Sequence, residues 1–303
     1  MKALITGIGG FSGRHLTVLL EKENVTVTGI DRSKNKYHQA DLTDKKQLQA
    51  VLTEEKPDFI FHLASPLIRS DQLIDQSLVD NLKVDLFGTV NLIEAAASLK
   101  TKPRILITGT NAQYKTSQKP ISEDYQLKPL TGYGLSKLTQ ELIGKTLADS
   151  YGLEIITTRT FHLIGPGQSP GFVVTDFCRQ IAMMEVGKAE AELKVGNPDI
   201  RRDFTDVRDA VSAYWLLMQN GKNGETYNVC SGQGYSLKEI IEKLKSLSKI
   251  DFEVISLDNR LRQNDPDSIT GDNQKLKSLG WQPQYSLDSS LKDTLDYWRS
   301  QTN

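Results

Sequence analysis

The sequence predicts an α/β fold in which a doubly wound parallel sheet is followed by a smaller C-terminal α/β domain. Through the first half of the chain, short apolar runs alternate with longer segments of helical period. Strands and helices that alternate in this way form parallel sheets with right-handed crossovers and helices on both faces. At 303 residues, the chain is also long enough for two domains with a sizeable core.

Five apolar runs in the first half have the length of buried strands, and helix-like segments separate them. The predicted strands are residues 2–6, 26–30, 59–63, 104–108 and 154–159. The predicted helices between them are residues 11–21, 45–54, 73–98 and 133–151. Most of these strands are continuous apolar runs, which is typical of a sheet that is covered on both faces.

The regular alternation ends near residue 160. Residues 165–171 contain three glycines and two prolines and are predicted to form a loop. Further helices are predicted at 207–218, 237–247 and 287–299. We therefore assign residues 1–160 to a first domain and residues 161–303 mainly to a second one, with segments near 200–228 returning to the large sheet.

The composition argues against several classes of protein. Lys and Arg number 37 against 38 Asp and Glu, and the resulting net charge of −1 argues against a nucleic-acid partner. No apolar run approaches the ~20 residues of a membrane helix. The apolar run among the first residues is too short for a secretory signal. The two cysteines form no disulfide framework and the four histidines have no zinc spacing, so we expect a cytoplasmic protein without a metal.

A glycine-rich turn joins the first predicted strand to the first predicted helix. Its glycines, Gly7, Gly10 and Gly13, have the spacing GxxGxxG rather than the GxGxxG of the standard dinucleotide-binding turn. The first permits a tight turn, the second lets a pyrophosphate approach the backbone, and the third allows close packing of helix on strand. Phe11 and Ser12 begin the helix, whose N-terminus would face the phosphates. A turn without a ligand is the alternative, but the strand–turn–helix context favours a dinucleotide.

Asp31 ends the second predicted strand, where an acidic side chain commonly binds the adenosine ribose of NAD. Arg32 follows it and has three interpretations: it stacks on adenine, it binds a 2′-phosphate, or it is a solvated loop charge. The sequence therefore leaves NADH and NADPH open. Asp41 and Leu42 follow a short third strand, and they either contact the edge of adenine or simply form a turn.

Tyr133 and Lys137 are four residues apart and lie on one face of a predicted helix. A nearby ammonium and an oxidised nicotinamide stabilise a phenolate, so we expect the pKa of Tyr133 to be lowered from ~10. Such a tyrosine exchanges a proton with a carbonyl or alcohol oxygen, and Lys137 can also hydrogen-bond a nicotinamide ribose. Thr110 follows the strand predicted at 104–108, at the edge where ligands bind, and can hydrogen-bond the reacting oxygen. The alternative interpretation of the Tyr133 and Lys137 spacing is a surface lysine one turn after a core tyrosine.

Several longer passages resemble one family of enzymes. They are residues 59–64, 159–161, 164–168, 194–197, 202–209 and 227–232. Together with the two motifs, they make almost the whole chain similar to the extended short-chain dehydrogenases/reductases, the NAD-dependent epimerase/dehydratase family. Within it, the chain most resembles the GDP-4-keto-6-deoxymannose reductases that form GDP-rhamnose. The resemblance implies a Rossmann domain, a smaller sugar-nucleotide domain, and NADH or NADPH as cofactor.

The resemblance also implies a reaction and a set of site residues. The reaction is reduction of the C4 ketone of a nucleotide-linked 4-keto-6-deoxyhexose, in deoxysugar biosynthesis. The implied catalytic residues are Thr110, Tyr133 and Lys137. The last two also belong to the implied cofactor residues, which are otherwise Gly7, Gly10, Phe11, Ser12, Gly13, Asp31, Arg32, Asp41, Leu42, Leu63, Ala64 and Ser65. The implied substrate residues are Asn111, Ala112, His162, Phe172, Val173, Arg179, Val195, Asn197, Arg202, Arg262 and Asp265.

Some positions depart from the family pattern. Asn111 and Ala112 stand where the related dehydratases have an acid and a glutamate, which argues against dehydratase chemistry. His162 and Asp85 each stand where the family usually has asparagine, and residues 262–266 lack the Arg-Pro and Glu of the GDP-sugar group. The substrate is therefore open among GDP-, UDP- and dTDP-4-keto-6-deoxyhexoses.

Two other functions agree with the same sequence features. A C4 epimerase keeps its NAD bound and returns the hydride to the opposite face of the sugar, and Asp31 mildly favours this reading. A dinucleotide-sensing scaffold is the alternative without catalysis, although such proteins often lose the tyrosine or the lysine. We also expect a homodimer, because family members pair through the helices that correspond to residues 81–99 and 133–150.

Overall fold

The computed structural model describes residues 1–33, 36–66, 78–257 and 267–302. Its strands, numbered along the chain, are β1 (Lys2–Thr6), β2 (Thr26–Asp31), β3 (His38–Gln39), β4 (Phe59–His62), β5 (Arg104–Thr110), β6 (Ile155–Thr160), β7 (His162–Ile164), β8 (Glu192–Val195), β9 (Arg201–Asp206), β10 (Thr226–Val229), β11 (Gly234–Ser236), β12 (Glu253–Ser256) and β13 (Ser268–Ile269). Its helices are α1 (Phe11–Lys22), α2 (Lys45–Glu55), α3 (Leu78–Leu82), α4 (Gly88–Ala97), α5 (Gly132–Tyr151), α6 (Val173–Glu185), α7 (Val207–Asn220), α8 (Leu237–Leu247), α9 (Gln274–Lys277) and α10 (Leu287–Thr302). A π-helical turn, Lys83–Phe87, joins α3 to α4, and a 3-10 turn, Asn111–Gln113, follows β5.

Seven strands form one sheet in the order β10-β6-β5-β4-β1-β2-β3, and all neighbouring pairs are parallel. The predicted doubly wound parallel sheet is thus confirmed. The order runs outward in opposite directions from the neighbours β1 and β4, so the connections on the two sides leave a crevice beyond the carboxyl ends of these strands. Ligands of such sheets bind at this reversal point.

Alternate residues of each central strand face opposite layers of helices. On β1, Ala3 and Ile5 belong to the core cluster that includes residues of α1 and α7. Leu4 between them belongs to the cluster that includes residues of α2, α4 and α5. Because both faces of these strands are covered by helices, their apolar residues are continuous rather than alternating.

The chain after β6 builds smaller sheets and then returns to the large one. Strand β9 pairs with β7, β11 and β13, whereas β8 pairs with β12. A third apolar core lies among α6, α8, α10 and these strands. Helix α7 packs against α1, and β10 extends the large sheet beside β6. Residues 207–220 and 226–229 thus lie with the large sheet, whereas residues 201–206 form β9 of a smaller one. The predicted domain limits, including the one at residue 160, stay a prediction.

The predicted strands agree with the structure to within two residues. The helix predicted at 73–98 is described from residue 78 and is divided by the π-helical turn, and residues 73–77 lie outside the described part. Helix α6 was not predicted. Among the described helices, none is long and apolar enough to cross a membrane.

Candidate active site

The glycine turn between β1 and α1 packs directly against the end of β4. Gly7 has φ +70°, and its N–H donates to the Ile30 carbonyl at 2.8 Å. A Cβ on Gly7 would lie 2.9 Å from the Ala64 Cα, and one on Gly13 would lie 2.5 Å from the Gly7 carbonyl oxygen. The close approach of turn, helix and strand therefore requires glycine at both positions.

The start of α1 offers free hydrogen-bond donors at the crevice. Gly10 is the N-cap residue, and no side chain among the described residues caps the helix. The first-turn N–H groups, including those of Phe11, Ser12 and Gly13, have no partner within an α-helix, and the helix dipole favours an anion there. This end of the helix fits the pyrophosphate of a dinucleotide.

The Asp31 carboxylate ties the end of β2 to the glycine turn. Its Oδ2 accepts from the Gly9 N–H at 3.0 Å, and its Oδ1 accepts from the backbone N–H and the hydroxyl of Ser33 at 3.0 and 2.8 Å. Burial alone would raise the pKa of Asp31, but the hydrogen bonds from Ser33 and Gly9 outweigh it, and the pKa is lowered. An ionised carboxylate thus stands at the crevice, and Arg32 beside it is exposed.

The other predicted cofactor residues follow β3 and β4. Asp41 is exposed and its Oδ1 accepts from the backbone N–H and hydroxyl of Thr43, both at 2.8 Å, so it forms a turn. Leu42 is buried against Gly88 of α4. Ala64, in the predicted Leu63–Ser65 segment, donates its N–H to Thr6 Oγ1 at 3.2 Å. The three residues of the Leu63–Ser65 segment are half-buried. They follow β4 directly, at the reversal point of the strand order.

Thr110 is the last residue of β5 and also organises the turn that follows. Its N–H donates to Gln113 Oε1 at 2.8 Å, and its Oγ1 accepts from the Ala112 N–H at 3.3 Å. The amide of Gln113 donates to Glu141 Oε2 on α5 at 2.7 Å. Gln113, which the sequence analysis did not single out, therefore connects the end of β5 to the helix that bears Tyr133.

Helix α5 begins against this turn. Thr131 is its N-cap residue and accepts from the Gly134 N–H at 3.0 Å. A Cβ on Gly134 would lie 2.9 Å from the Ala112 carbonyl carbon and closer still to its oxygen. The glycine thus allows α5 to approach the turn closely, and the Tyr133 phenol lies beside the Thr110 side chain.

Burial and the nearby carboxylate of Asp85 raise the pKa of Tyr133 well above its ordinary value, although the hydrogen bond with Thr110 lowers it. The chain's own groups therefore raise this pKa, and the lowering expected beside an oxidised nicotinamide stays a prediction. Lys137 is 2% exposed and lies one turn along α5, but its Nζ is 3.5 Å from Asp85 Oδ1. The charge that was expected to stabilise a phenolate is paired with this carboxylate.

The Lys137 ammonium has two further acceptors. It donates to Gln140 Oε1 at 2.8 Å and to the Thr108 carbonyl at 3.2 Å. With Asp85, these acceptors account for the three protons of the ammonium. A hydrogen bond from Lys137 to a nicotinamide ribose would have to replace one of them. The spacing of Gln140, three residues after Lys137, is the sequence signal that could have identified it.

A buried histidine links this cluster to β1. The ring nitrogens of His62 lie 2.7 Å from Thr6 Oγ1 and 2.8 Å from Thr89 Oγ1, and Gln140 Nε2 donates to Thr89 Oγ1 at 2.8 Å. Burial, reinforced by the charge of Lys137, lowers the pKa of His62 to about 3. The imidazole is therefore neutral at ordinary pH, and this polar network adds no positive charge to the site.

We predict that His62 makes the protein less stable in mild acid. Its folded pKa of about 3 lies below the unfolded value of 6.5, so protons bind preferentially to the unfolded chain below pH 6.5. This group alone should lower the free energy of unfolding by at most ~1.4 kcal/mol per pH unit between pH 6.5 and 3. Urea unfolding at pH 7.0 and 5.5 measures the slope, and His62→Asn should make it shallower. Equal slopes for the two proteins would contradict the prediction.

Several of the predicted substrate residues lie near the carboxyl ends of the central strands. Asn111 and Ala112 follow Thr110 directly, and Asn111 Oδ1 accepts from the Thr110 hydroxyl at 3.2 Å. His162 is on β7, with its ring centroid 6.0 Å from that of Phe204. Two further predicted substrate residues, Phe172 and Val173, are half-buried at the start of α6. A third, Arg202, is buried on β9.

The other predicted substrate residues differ in exposure. Val195 is buried in the C-terminal core, so a ligand could contact only its backbone. Arg179 and Asn197 are exposed, and Asn197 Oδ1 accepts from the Asp199 N–H at 3.0 Å. Arg262 and Asp265 lie outside the described residues.

Comparison with known proteins agrees with this architecture. The family model described as GDP-mannose 4,6 dehydratase matches residues 4–294. GDP-6-deoxy-D-mannose reductase from Pseudomonas aeruginosa is 31% identical over 99% of this chain and 97% of its own. GDP-6-deoxy-D-talose 4-dehydrogenase from Aggregatibacter actinomycetemcomitans is 31% identical over 92% of this chain and 91% of its own.

Solved structures give the same result. The structure of RMD from Pseudomonas aeruginosa complexed with NADPH has a TM-score of 0.90 and 30% identity, covering 99% of both chains. UDP-glucose 4-epimerase from Thermotoga maritima with UDP-glucose has a TM-score of 0.90 and 26% identity, covering 100% of both chains. On the family match, the sequence relatives and the fold, this chain belongs to the GDP-mannose 4,6 dehydratase family of extended short-chain dehydrogenases/reductases.

Proposed function

We propose that this protein is a nucleotide-sugar 4-ketoreductase that reduces the C4 ketone of a nucleotide-linked 4-keto-6-deoxyhexose with NADH or NADPH. The observation that carries the proposal is the placement of the Tyr133 phenol beside the Thr110 side chain at the crevice, with the buried Lys137 one turn along the same helix. The relatives named as a reductase and a dehydrogenase of GDP-6-deoxy sugars support the same chemistry. The open N-terminus of α1 and the glycine turn fit the dinucleotide.

The residues of the chain divide the work of reduction among them. Bound NADH or NADPH supplies the hydride that C4 receives. Tyr133 donates a proton to the carbonyl oxygen, and its raised pKa keeps it protonated for that role. Thr110 hydrogen-bonds the same oxygen and positions it against the phenol. Lys137 holds α5 to the end of β5 through the Thr108 carbonyl.

The residues after Thr110 favour reduction over dehydration. Removal of water needs an acid and a base at the sugar, and Asn111 and Ala112 provide no carboxylate there. Among the described residues, the nearby carboxylate of Glu141 is engaged by Arg159 at 2.6 Å, and that of Asp85 by Lys137. The family name therefore does not describe the reaction that we propose for this chain.

We assign the two parts of the chain different roles in binding. Residues 1–160, with α7 and β10, bind the dinucleotide, and residues 161–303 bind mainly the sugar nucleotide. Because binding energy from the nucleotide can position C4 over the nicotinamide, the second part contributes to rate as well as to affinity. GDP is the preferred nucleotide of the substrate, because the relatives are named for GDP-linked sugars. The product would then be GDP-rhamnose or its C4 epimer.

The first experiment follows nicotinamide absorbance with NADH and NADPH in parallel and GDP-4-keto-6-deoxymannose made in situ. Rapid oxidation of either cofactor supports the proposal, and the faster one identifies the preferred cofactor. If both cofactors remain unoxidised with the GDP sugar, the UDP- and dTDP-linked keto sugars are tried next. Absence of oxidation with all of them would overturn ketoreduction.

A nucleotide-sugar C4 epimerase is the second candidate. The ionised Asp31 at the end of β2 favours NAD, and the Thermotoga maritima UDP-glucose 4-epimerase shares the fold at 26% identity. An epimerase keeps its cofactor through the reaction. Cofactor that remains bound after purification, together with interconversion of two sugars and no net nicotinamide consumption, would support this candidate over the reductase.

We also propose a homodimer in the cytoplasm. Helix α5 packs beside α3 and α4, and large apolar side chains are exposed along these elements. Val79 and Phe87 are 58% and 57% exposed, and Leu135 and Leu142 are 42% and 55% exposed. A second copy would bury this apolar face. The free, buried cysteines agree with a reducing compartment.

We predict that Leu142→Glu converts the dimer into a monomer, because a charge at the centre of an apolar interface loses its hydration without gaining a partner. Sedimentation velocity should show a twofold drop in mass. The matched control is Val18→Glu, since Val18 is 52% exposed on α1, away from these helices. A monomeric wild-type protein, or a dimer that survives Leu142→Glu, would exclude this interface.

A further inference from the structure

Asp85 is a fully buried carboxylate to which the sequence analysis assigned no role. It is 0% exposed and lies on the π-helical turn Lys83–Phe87. Its Oδ1 accepts from the Ser65 hydroxyl and its Oδ2 accepts from the Ser136 hydroxyl, both at 2.8 Å. These hydroxyls come from the segment after β4 and from α5, so the carboxylate is fixed from two sides of the crevice.

The carboxylate faces Lys137, and the surroundings of this pair are neutral. Nζ and Oδ1 are 3.5 Å apart, and both side chains are almost inaccessible to solvent. From β4, His62 approaches the lysine as a neutral imidazole. From α5 and α7, Tyr133 and Tyr214 are protonated phenols, because burial raises the pKa of both. Among the described side chains facing this part of the crevice, Asp85 and Lys137 therefore carry opposite charges that cancel.

The cancellation of the Asp85 and Lys137 charges matters because the charge of a nicotinamide changes during the reaction. Oxidised nicotinamide carries one positive charge that reduced nicotinamide lacks, and both must occupy the same site during the reaction. A buried lysine without a counter-charge would repel the oxidised form at the short distances and low polarity of a protein interior. A buried lysine that is paired with a carboxylate has little net effect on either form.

We propose that Asp85 is a positioning residue that neutralises Lys137, so that the site binds the oxidised and reduced nicotinamide with balanced affinity. This inference rests on the proposed function, because it takes the crevice to be a nicotinamide site. It assigns Asp85 no contact with the sugar.

Charge-altering variants at the two positions should shift cofactor preference in opposite directions. Asp85→Asn keeps the shape and an acceptor for Ser65 or Ser136 but leaves Lys137 unpaired. The ratio of the dissociation constant of the oxidised cofactor to that of the reduced one should rise about tenfold. Lys137→Met leaves Asp85 unpaired, and the same ratio should fall by about the same factor. The double variant restores neutrality, and its ratio should return to the wild-type value.

The test is calorimetric titration of the purified full-length chain with the oxidised and reduced forms of whichever cofactor it binds. The ratio within one protein cancels general damage to the site, which weakens both forms alike. Glu141→Gln is the matched control, because Glu141 is another buried carboxylate on α5 that pairs with Arg159 rather than with Lys137. Its ratio should equal that of the wild type.

Unchanged ratios in the two single variants would overturn the proposal, as would a double variant that fails to return to the wild-type ratio. If Asp85→Asn does not fold, Lys137→Met still tests the sign of the effect. If the chain binds both cofactor forms but reduces no keto sugar, the proposed reaction is overturned. The ratios of the dissociation constants still decide the proposal for Asp85 in that case. A wild-type chain that binds neither form would overturn both proposals.

Discussion

Replacement of Tyr133 with phenylalanine is expected to lower kcat for ketone reduction by ~10²–10⁴-fold, the range that one positioned proton donor contributes. The variant keeps the ring and loses only the hydroxyl, which lies beside the Thr110 side chain. Affinity for the nucleotide sugar should change little, because the nucleotide binds elsewhere. Steady-state kinetics and a separate binding titration would measure the two quantities.

The matched control is Tyr151→Phe at the far end of α5. Tyr151 is 36% exposed, and its hydroxyl lies 3.4 Å from Glu94, so the change removes a similar group from the same helix. It should leave kcat within a factor of two. Turnover by the Tyr133→Phe variant at the wild-type rate would show that another group donates the proton.

Replacement of Gly134 with alanine is expected to damage both the fold and the rate. The added methyl group would collide with the Ala112 carbonyl, so α5 must move away from the turn after β5. Overpacking of this kind costs ~1–3 kcal/mol of the free energy of unfolding. It also separates Tyr133 from Thr110, and a displacement of about 1 Å in an active site can cost ~100-fold in rate.

Gly132→Ala provides the comparison, because it lies two residues earlier in the same helix. The nearest atom to a Cβ there is Leu78 Cδ1 at 3.6 Å, which is ordinary contact. Chemical unfolding and kcat should therefore remain close to wild type in this variant. Equal losses in the two alanine variants would contradict the argument from close approach, because helix propensity favours alanine over glycine at both positions.

Local patterns predicted the large sheet well, because each strand is defined by its own apolar run and each helix by its own period. The end of β5 is a feature that local sequence patterns did not predict. The strand was predicted to end at residue 108 but continues to Thr110, since Gly109 fits beneath Gln113 and the Thr158 carbonyl. Those contacts are formed by residues close in space, and no run of apolar residues signals them.

The candidate site shows the same division. Tyr133, Lys137 and the glycine turn were recognised by spacing, and their positions follow from the strand order. The electrostatics were not recognised, because Asp85 reaches Lys137 from another part of the chain. A single buried acid in a helical segment has no local partner that identifies it. The pKa of Tyr133 is raised instead, first by burial and second by this carboxylate.

The return of the chain to the large sheet limits how this protein could be recombined with its relatives. Strand β10 forms an edge of the sheet beside β6, and α7 covers the face that also bears α1. A chimera joined at residue 160 would take both elements from the donor of the part that we propose binds the sugar nucleotide, and it would have to rebuild the first core. On that proposal, substrate specificity is better transferred by exchanging residues 162–206 and 230–302 while 207–229 stay with the sheet that they complete.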